Sequence, residues 1–274
     1  HSSDVHLLRR LRLAWLARVI GRQADVVYTS EQLRLPGVPG RVVPMGIDVQ
    51  EFATSETARA AARKQFDLKR PTLLFLGRLV PVKGLETLLS ALSLVVRSHA
   101  VELIVAGDGP LKSELSEHAR REALPVRFVG EVAGPAKRQL LAAADLLVLP
   151  SLHLPDGRTE GSPVVIWEAL ASGLPIVASQ VGGIGAQLGG VGVTVPPGDP
   201  MALAVAIEQV LLDAGLLARL RQLGPARAAQ ADWAQVAANI LRSEWLTDPA
   251  AAVASGPAAV ITNQNPNCYR ERYK

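Results

Sequence analysis

Residues 71–106 read PTLLFLGRLVPVKGLETLLSALSLVVRSHAVELIVA, and the hydrophobic period changes twice inside that stretch. An unbroken apolar run at 72–76 ends at Gly77 and a basic loop. Apolar residues at helical spacing follow over 84–97, and a second unbroken run fills 101–106. Short continuous runs, rather than alternating ones, are the mark of strands covered on both faces. A strand, a helix and another such strand joined by short connections make a parallel βαβ unit.

The same alternation continues along the chain. Helices are expected over 111–122, 135–143 and 163–172, and strands over 126–129, 146–149, 175–178 and 192–195. Three further helices are expected over 200–212, 216–230 and 233–246. The fold class is therefore α/β, a Rossmann-like parallel sheet with helices on both faces. Upstream, residues 7–23 carry apolar positions at helix spacing with arginines between them. Brief strands are expected at 24–29 and 41–44, a turn at 45–48 and a charged helical connector over 53–70. Beyond residue 248 no period is visible, and 249–274 is expected to be a disordered tail.

Composition narrows the function. The chain has 274 residues, is 49% hydrophobic and contains only 4% aromatics, so its core is aliphatic. The net charge of +4 sits wholly in residues 1–41, where seven arginines face three acids. A nucleic-acid binder would spread positive charge over its reading domain, so none is expected as a partner. A basic first helix suits either peripheral contact with an anionic membrane or an ordinary solvated face. The single cysteine, Cys268, permits no internal disulfide, which fits a cytoplasmic protein. Residues 169–198 carry no charge, but eight glycines and three prolines in that stretch exclude a membrane helix.

In open parallel sheets, ligands bind beyond the carboxyl ends of the strands, so the loops there are the candidates. The loop from Gly77 to Gly84 places Arg78 and Lys83 just before a helix. Two such cations clamp a diphosphate, or else are simply solvated. Gly107-Asp108-Gly109-Pro110 follows the next strand, with glycines that let backbone approach a ligand. Its spacing is not GxGxxG, so a dinucleotide dehydrogenase is not supported. Val129, Gly130, Glu131 and Val132 offer backbone and apolar contact to a flat base. The strongest signal is Glu160-Gly161-Ser162-Pro163 leading into an apolar helix that contains Glu168. Ser162 is expected to cap that helix and Pro163 to lie in its first turn. A carboxylate as deep as Glu168 needs a partner, either ligand hydroxyls or a nearby arginine. His6, His99, His118 and His153 show no partner pattern, and no Asp/Glu/His cluster has metal-ligand spacing.

Taken in order, GRL-x3-KG, GDGP, F-x-G, EG-x-P-x5-EA-x-A-x-G-x-P and GG resemble the family 4 retaining glycosyltransferases of the GT-B fold. The resemblance runs from about His1 to Leu246. Pro155-Asp156-Gly157-Arg158-Thr159-Glu160 further resembles the branch that builds bacterial exopolysaccharide and lipopolysaccharide. The resemblance implies transfer of a hexosyl group, with retention, from a UDP-, GDP- or ADP-linked sugar to a glycan or lipid-linked acceptor. It implies no metal and no other cofactor. By position, Arg78 and Lys83 match the pair on the donor diphosphate, Glu168 the carboxylate on the ribose, and Glu160 that near the transferred sugar. Those three, Glu160, Arg78 and Lys83, are the implied catalytic groups. Gly161, Ser162 and Pro163 match the loop facing sugar or phosphate. Gly77, Gly107, Gly109, Pro110, Val129, Glu131 and Val132 complete the implied donor wall.

The resemblance also divides the chain. Residues 1–45 would be a remnant of an acceptor-binding domain, 46–70 a connector, 71–230 the donor domain, and 231–248 a returning helix. His1-Ser2-Ser3-Asp4 resembles a segment from well inside the acceptor domain, which implies truncation by roughly a hundred residues at typical domain size. After Val181-Gly182-Gly183-Ile184, the family usually has Pro-Glu, whereas Gly185-Ala186 stand here. That departure and the missing residues favour a non-catalytic nucleotide-sugar-binding module or an inactive remnant that needs a separate acceptor half; a nucleotide-sugar epimerase of the same fold is a further alternative, against which the EG-x-P-x5-EA block argues.

Overall fold

The computed structural model describes residues 15, 19, 26–29, 31, 34, 35, 37–43 and 45–241. Most of the helix expected over 7–23, the segment at 1–4 and everything from residue 242 onward lie outside the described residues. The first described elements are a parallel pair, β1 (Val27–Tyr28) and β2 (Arg41–Val42), shorter than the runs expected there. Tyr28 is buried with Leu35 and Val38, and its hydroxyl donates to the Val38 carbonyl at 3.2 Å.

The connector forms two helices, α1 (Val49–Phe52) and α2 (Glu56–Gln65). Asp48 and Ser55 cap them by accepting the N–H groups of Glu51 and Ala58, as short polar residues at helix starts do. Residues 45–48 are not merely a turn. The N–H of Ile47 donates to the Ala231 carbonyl at 2.8 Å, and the Trp233 N–H donates to the Ile47 carbonyl at 3.0 Å. A partner so far along the chain leaves no local trace in the sequence.

The main body is a six-stranded sheet in the order β5-β4-β3-β6-β7-β8, parallel throughout. Its elements alternate as the hydrophobic runs require: β3 (Thr72–Leu76), α3 (Leu85–Val95), β4 (Glu102–Ala106), α4 (Lys112–Arg121), β5 (Val126–Gly130) and α5 (Gly134–Ala143). Then come β6 (Leu146–Leu149), α6 (Val164–Ala171), β7 (Ile176–Ser179), α7 (Ile184–Leu188), β8 (Val193–Val195), α8 (Pro200–Leu212), α9 (Ala214–Ala228) and α10 (Trp233–Leu241). Successive residues of one strand feed opposite cores. Leu74 and Ile104 pack with α2, α5 and α6, while Leu73, Phe75, Leu103 and Val105 pack with α3, α4 and α8. Burial on both sides is why these strands read as unbroken apolar runs.

Chain order reverses direction between β3 and β6, the two central strands. That switch point is where an open parallel sheet leaves a crevice for a ligand. The short helix α7 falls where only a loop is expected from the sequence. Arg227 of α9 donates to the carbonyls of Ala186 and Gln187 at 2.6 and 2.9 Å, closing the helix's last turn. Tertiary capping thus overrides the low helix propensity of a segment containing Gly185 and ending at Gly189. Among the described residues, no single helix is long and apolar enough to cross a membrane.

Candidate functional site at the sheet's switch point

The loop leaving β3 is fixed from both sides. Its Gly77 N–H donates to the Ala106 carbonyl at 3.0 Å, and its Leu79 N–H to the Asp108 carbonyl at 2.8 Å. A 3₁₀ turn over Pro81–Lys83 then ends at Gly84, whose φ of 65° is left-handed. A Cβ on Gly84 would lie 1.9 Å from the Pro150 carbonyl oxygen, so only glycine lets the loops after β3 and β6 meet. The Leu152 N–H completes the join by donating to the Val82 carbonyl at 2.9 Å.

That join brings together two residues expected to act together. Lys83 Nζ donates to Glu160 Oε2 at 2.6 Å, with the two side chains 22% and 15% exposed. Ser151, buried at the end of β6, places its Oγ 3.4 Å from the same carboxylate oxygen. Arg78 is exposed on the same loop and forms no ion pair with any described residue. A cation held at a carboxylate and a second cation left to solvent form a site prepared for an anion with several oxygens.

The glycines after β4 have a structural reason within the fold itself. A Cβ on Gly107 would lie 1.9 Å from the Gly77 carbonyl oxygen, and one on Gly109 would lie 2.5 Å from that of Leu79. These glycines let two loops stack on each other. Between them Asp108 accepts from Lys112 Nζ at 2.6 Å and from the Gly109 N–H at 2.7 Å. The lysine first, and the amide second, hold its carboxyl below the usual aspartate value. Pro110 is exposed beside this turn.

At the end of β5, register slips between Val105 and Ala106, which face Phe128 and Gly130. Val129 is the extra residue of this bulge and is pushed out to 43% exposure. Glu131 beyond it is exposed, whereas Val132 turns inward against the α2–α5–α6 core. The bulge therefore presents an apolar side chain at the rim and gives Glu131 no described partner there.

The segment Glu160–Pro163 departs from expectation at its helix start. Pro163 itself is the N-cap of α6, and no side chain caps that helix. Ser162 Oγ is buried without a hydrogen-bond partner instead of serving as the cap. Shape is set by the chain after β7, which passes directly beneath. The Gly183 N–H donates to the Gly161 carbonyl at 2.9 Å, and a Cβ on Gly182 would lie 1.7 Å from the Glu160 carbonyl oxygen. Gln187 adds a bond from Nε2 to the Pro163 carbonyl at 3.2 Å.

Glu168, one turn into α6, is 6% exposed and is paired with Lys137 of α5, whose Nζ donates to Oε1 at 2.6 Å. The partner is a lysine rather than the arginine weighed from sequence. Lys137 and Ser151 escape sequence reasoning because each stands in an unremarkable context, and only the packing of α5 and β6 brings them in. A hollow of about 140 Å³ between Pro71, His99, Val101 and Glu208 lies at the amino ends of the strands, away from all these loops.

A model of the family described as glycosyl transferases group 1 matches residues 70–213, just over half of the chain. The glycogen synthase of Mycobacterium tuberculosis is 36% identical over 203 residues, which cover 70% of this chain and 48% of that one. The phosphatidyl-myo-inositol mannosyltransferase of Mycolicibacterium smegmatis is 34% identical over 230 residues, 82% of this chain and 57% of that one. The chain thus spans about half the length of the curated relatives it matches. Among solved structures, Anabaena HepE in complex with UDP-glucose superposes with a TM-score of 0.70 at 28% identity, covering 81% of this chain and 63% of that one. With a parallel six-stranded sheet flanked by helices as in the GT-B glycosyltransferases, and with the loops at the carboxyl ends of its strands inside the matched region, the chain belongs to the group 1 glycosyltransferase family.

Proposed function

We propose that the chain is the donor-binding part of a family 4, retaining hexosyltransferase that uses a nucleoside-diphosphate sugar. The observation that carries this reading is the meeting of Lys83 and Glu160 at the switch point, with Arg78 free on the same loop. In this reading Arg78 and Lys83 neutralise the diphosphate, and Lys83 exchanges its carboxylate partner for phosphate oxygens. Glu160, released, faces the transferred sugar, and Glu168 receives the ribose hydroxyls. Gly161 and Ser162 offer backbone N–H groups to sugar or phosphate, while Pro163 contributes only shape. Gly77, Gly107, Gly109, Pro110, Val129, Glu131 and Val132 form the wall towards the base.

The bond between the anomeric carbon and the diphosphate breaks with its electron pair on the diphosphate. An acceptor oxygen forms the new bond on the same face, and its proton passes to the departing diphosphate. The two cations stabilise the charge that develops there, so the reaction needs no metal. The acceptor is a glycan or a lipid-linked sugar. HepE, with UDP-glucose bound, supports a nucleotide sugar as the donor. The exposed Ala186, where the family resemblance leads one to expect a carboxylate, favours a second reading, a module that binds the nucleotide sugar without turning it over.

Calorimetric titration of the chain with UDP, GDP and ADP tests the donor site. One of them binds, and Glu168→Ala weakens that binding by about ten-fold or more, the loss expected for hydrogen bonds to a buried charge. A folded chain that binds none of the three would sink the donor reading.

A further inference from the structure

Glu168 is the most deeply buried carboxylate among the loops and helices around the switch point, and a charge at that depth is stable only if it is paired and fixed. Lys137 supplies the pairing from a neighbouring helix, at 2.6 Å to Oε1. Lys137 is in turn held from its far side, where the ammonium stands 5.6 Å from the centroid of the Phe52 ring. Phe52 is itself buried on α1, and Arg138, the next residue of α5, pairs with Glu51 of α1. Three elements therefore converge on one ammonium. Only one carboxylate oxygen is used by it: Oε2 accepts no hydrogen bond from the described chain, and unlike Ser162 Oγ it is not sealed from solvent.

We propose that Lys137 is a positioning residue for donor recognition, locking Oε1 of Glu168 so that Oε2 is aimed at the ribose hydroxyls. The inference rests on the reading that Glu168 receives the ribose. Lys137 touches no part of the nucleotide in this scheme. It sets how well the site tells a ribonucleotide from one lacking the 2′- and 3′-hydroxyls. A carboxylate without its ammonium loses both its fixed direction and the compensation of its charge, so the ribose bonds weaken while base and phosphate contacts remain.

The test uses the 274-residue chain and calorimetry with UDP, GDP and ADP, each beside its 2′,3′-dideoxy counterpart. Wild type is expected to prefer the ribonucleotide by about ten-fold or more, the scale of a charge-assisted hydrogen bond. Lys137→Met should cut that preference about five-fold, leave dideoxy binding nearly unchanged, and have no further effect on the preference in a Glu168→Gln background. Lys137→Arg should restore part of the preference. If Lys137→Met does not fold, Lys137→Gln, which keeps one donor, should show the same loss in milder form. Equal weakening of ribo and dideoxy ligands would overturn the proposal and leave Lys137 a structural counter-charge. An unchanged preference would overturn it as well. Binding by wild type with no ribose preference would remove the ribose role of Glu168, and absence of all binding would instead refute the donor site as a whole.

Discussion

Replacing Gly182 by alanine adds one methyl group at a position whose sequence context, a glycine pair after a strand, does not say what stands against it. The residue has φ of 53°, a left-handed conformation that costs a residue with a Cβ about 1–2 kcal/mol. The new methyl would stand 1.7 Å from the carbonyl oxygen of Glu160, where real contacts begin near 3.0 Å, so the two backbones must part by more than an ångström. Overpacking of that kind costs about 1–3 kcal/mol more, and the combined loss is about 2–5 kcal/mol. In a domain of this size each kilocalorie lowers Tm by about 2–4 °C. The displaced residue is Glu160, whose carboxylate is tied to Lys83 at 2.6 Å, so donor affinity should fall together with stability. Gly185→Ala is the internal control. Nothing lies within 4 Å of its Cβ position, it sits inside α7, and alanine there should stabilise by about 0.5–1 kcal/mol. Thermal and urea unfolding of both variants, with nucleoside-diphosphate titrations, decide the matter. Gly182→Ala melting and binding like wild type would refute the claim that this glycine exists to pass beneath Glu160.

Two further outcomes follow from the charges at Asp145 and Asp108. Asp145 accepts from Arg63 at 2.6 Å and from the Thr72 N–H at 2.9 Å, with Arg221 at 3.4 Å, while Arg59 next to them has its basicity lowered by burial and by Arg221. Asp145→Asn leaves these half-buried cations short of a counter-charge and should cost about 1–3 kcal/mol in urea unfolding, the range for leaving a partly buried hydrogen-bonding group without its partner. Asp108, held below its ordinary value of 3.8 by Lys112 and the Gly109 amide, contributes stability that is complete above that value and is lost as pH falls through its lower, folded value. The Tm difference between wild type and Asp108→Asn should therefore be present at pH 7 and shrink in strong acid. A difference that grows towards acid would reverse the assignment.

Much of the site was legible in residue order because its parts lie at strand ends, and strand ends are marked by where apolar runs stop. Arg78, Lys83, Glu160 and Glu168 could be named on that basis, and each lies on a loop beyond a carboxyl end or, for Glu168, one turn into the helix that follows. What each does with its neighbours was less legible. Gly107 and Gly109 admit the preceding loop, a contact the sequence does not reveal, because a glycine in a sequence says that a Cβ is unwelcome without saying what stands in its place. Ser162 and Pro163 have the composition of a helix start, yet backbone from the β7 loop dictates the geometry there and Pro163 becomes the cap.

Local periodicity by itself determined the α/β class, the parallel sheet and which loops stand at the carboxyl ends of the strands, because burying a strand on both faces or a helix on one imposes a pattern readable residue by residue. Only the tertiary structure decided that Lys83 meets Glu160, that Lys137 meets Glu168, that Val129 is bulged outward and that Arg227 completes α7. Those contacts join residues far apart in the chain. Their energies depend on distance and burial in three dimensions, which no periodicity along the sequence encodes.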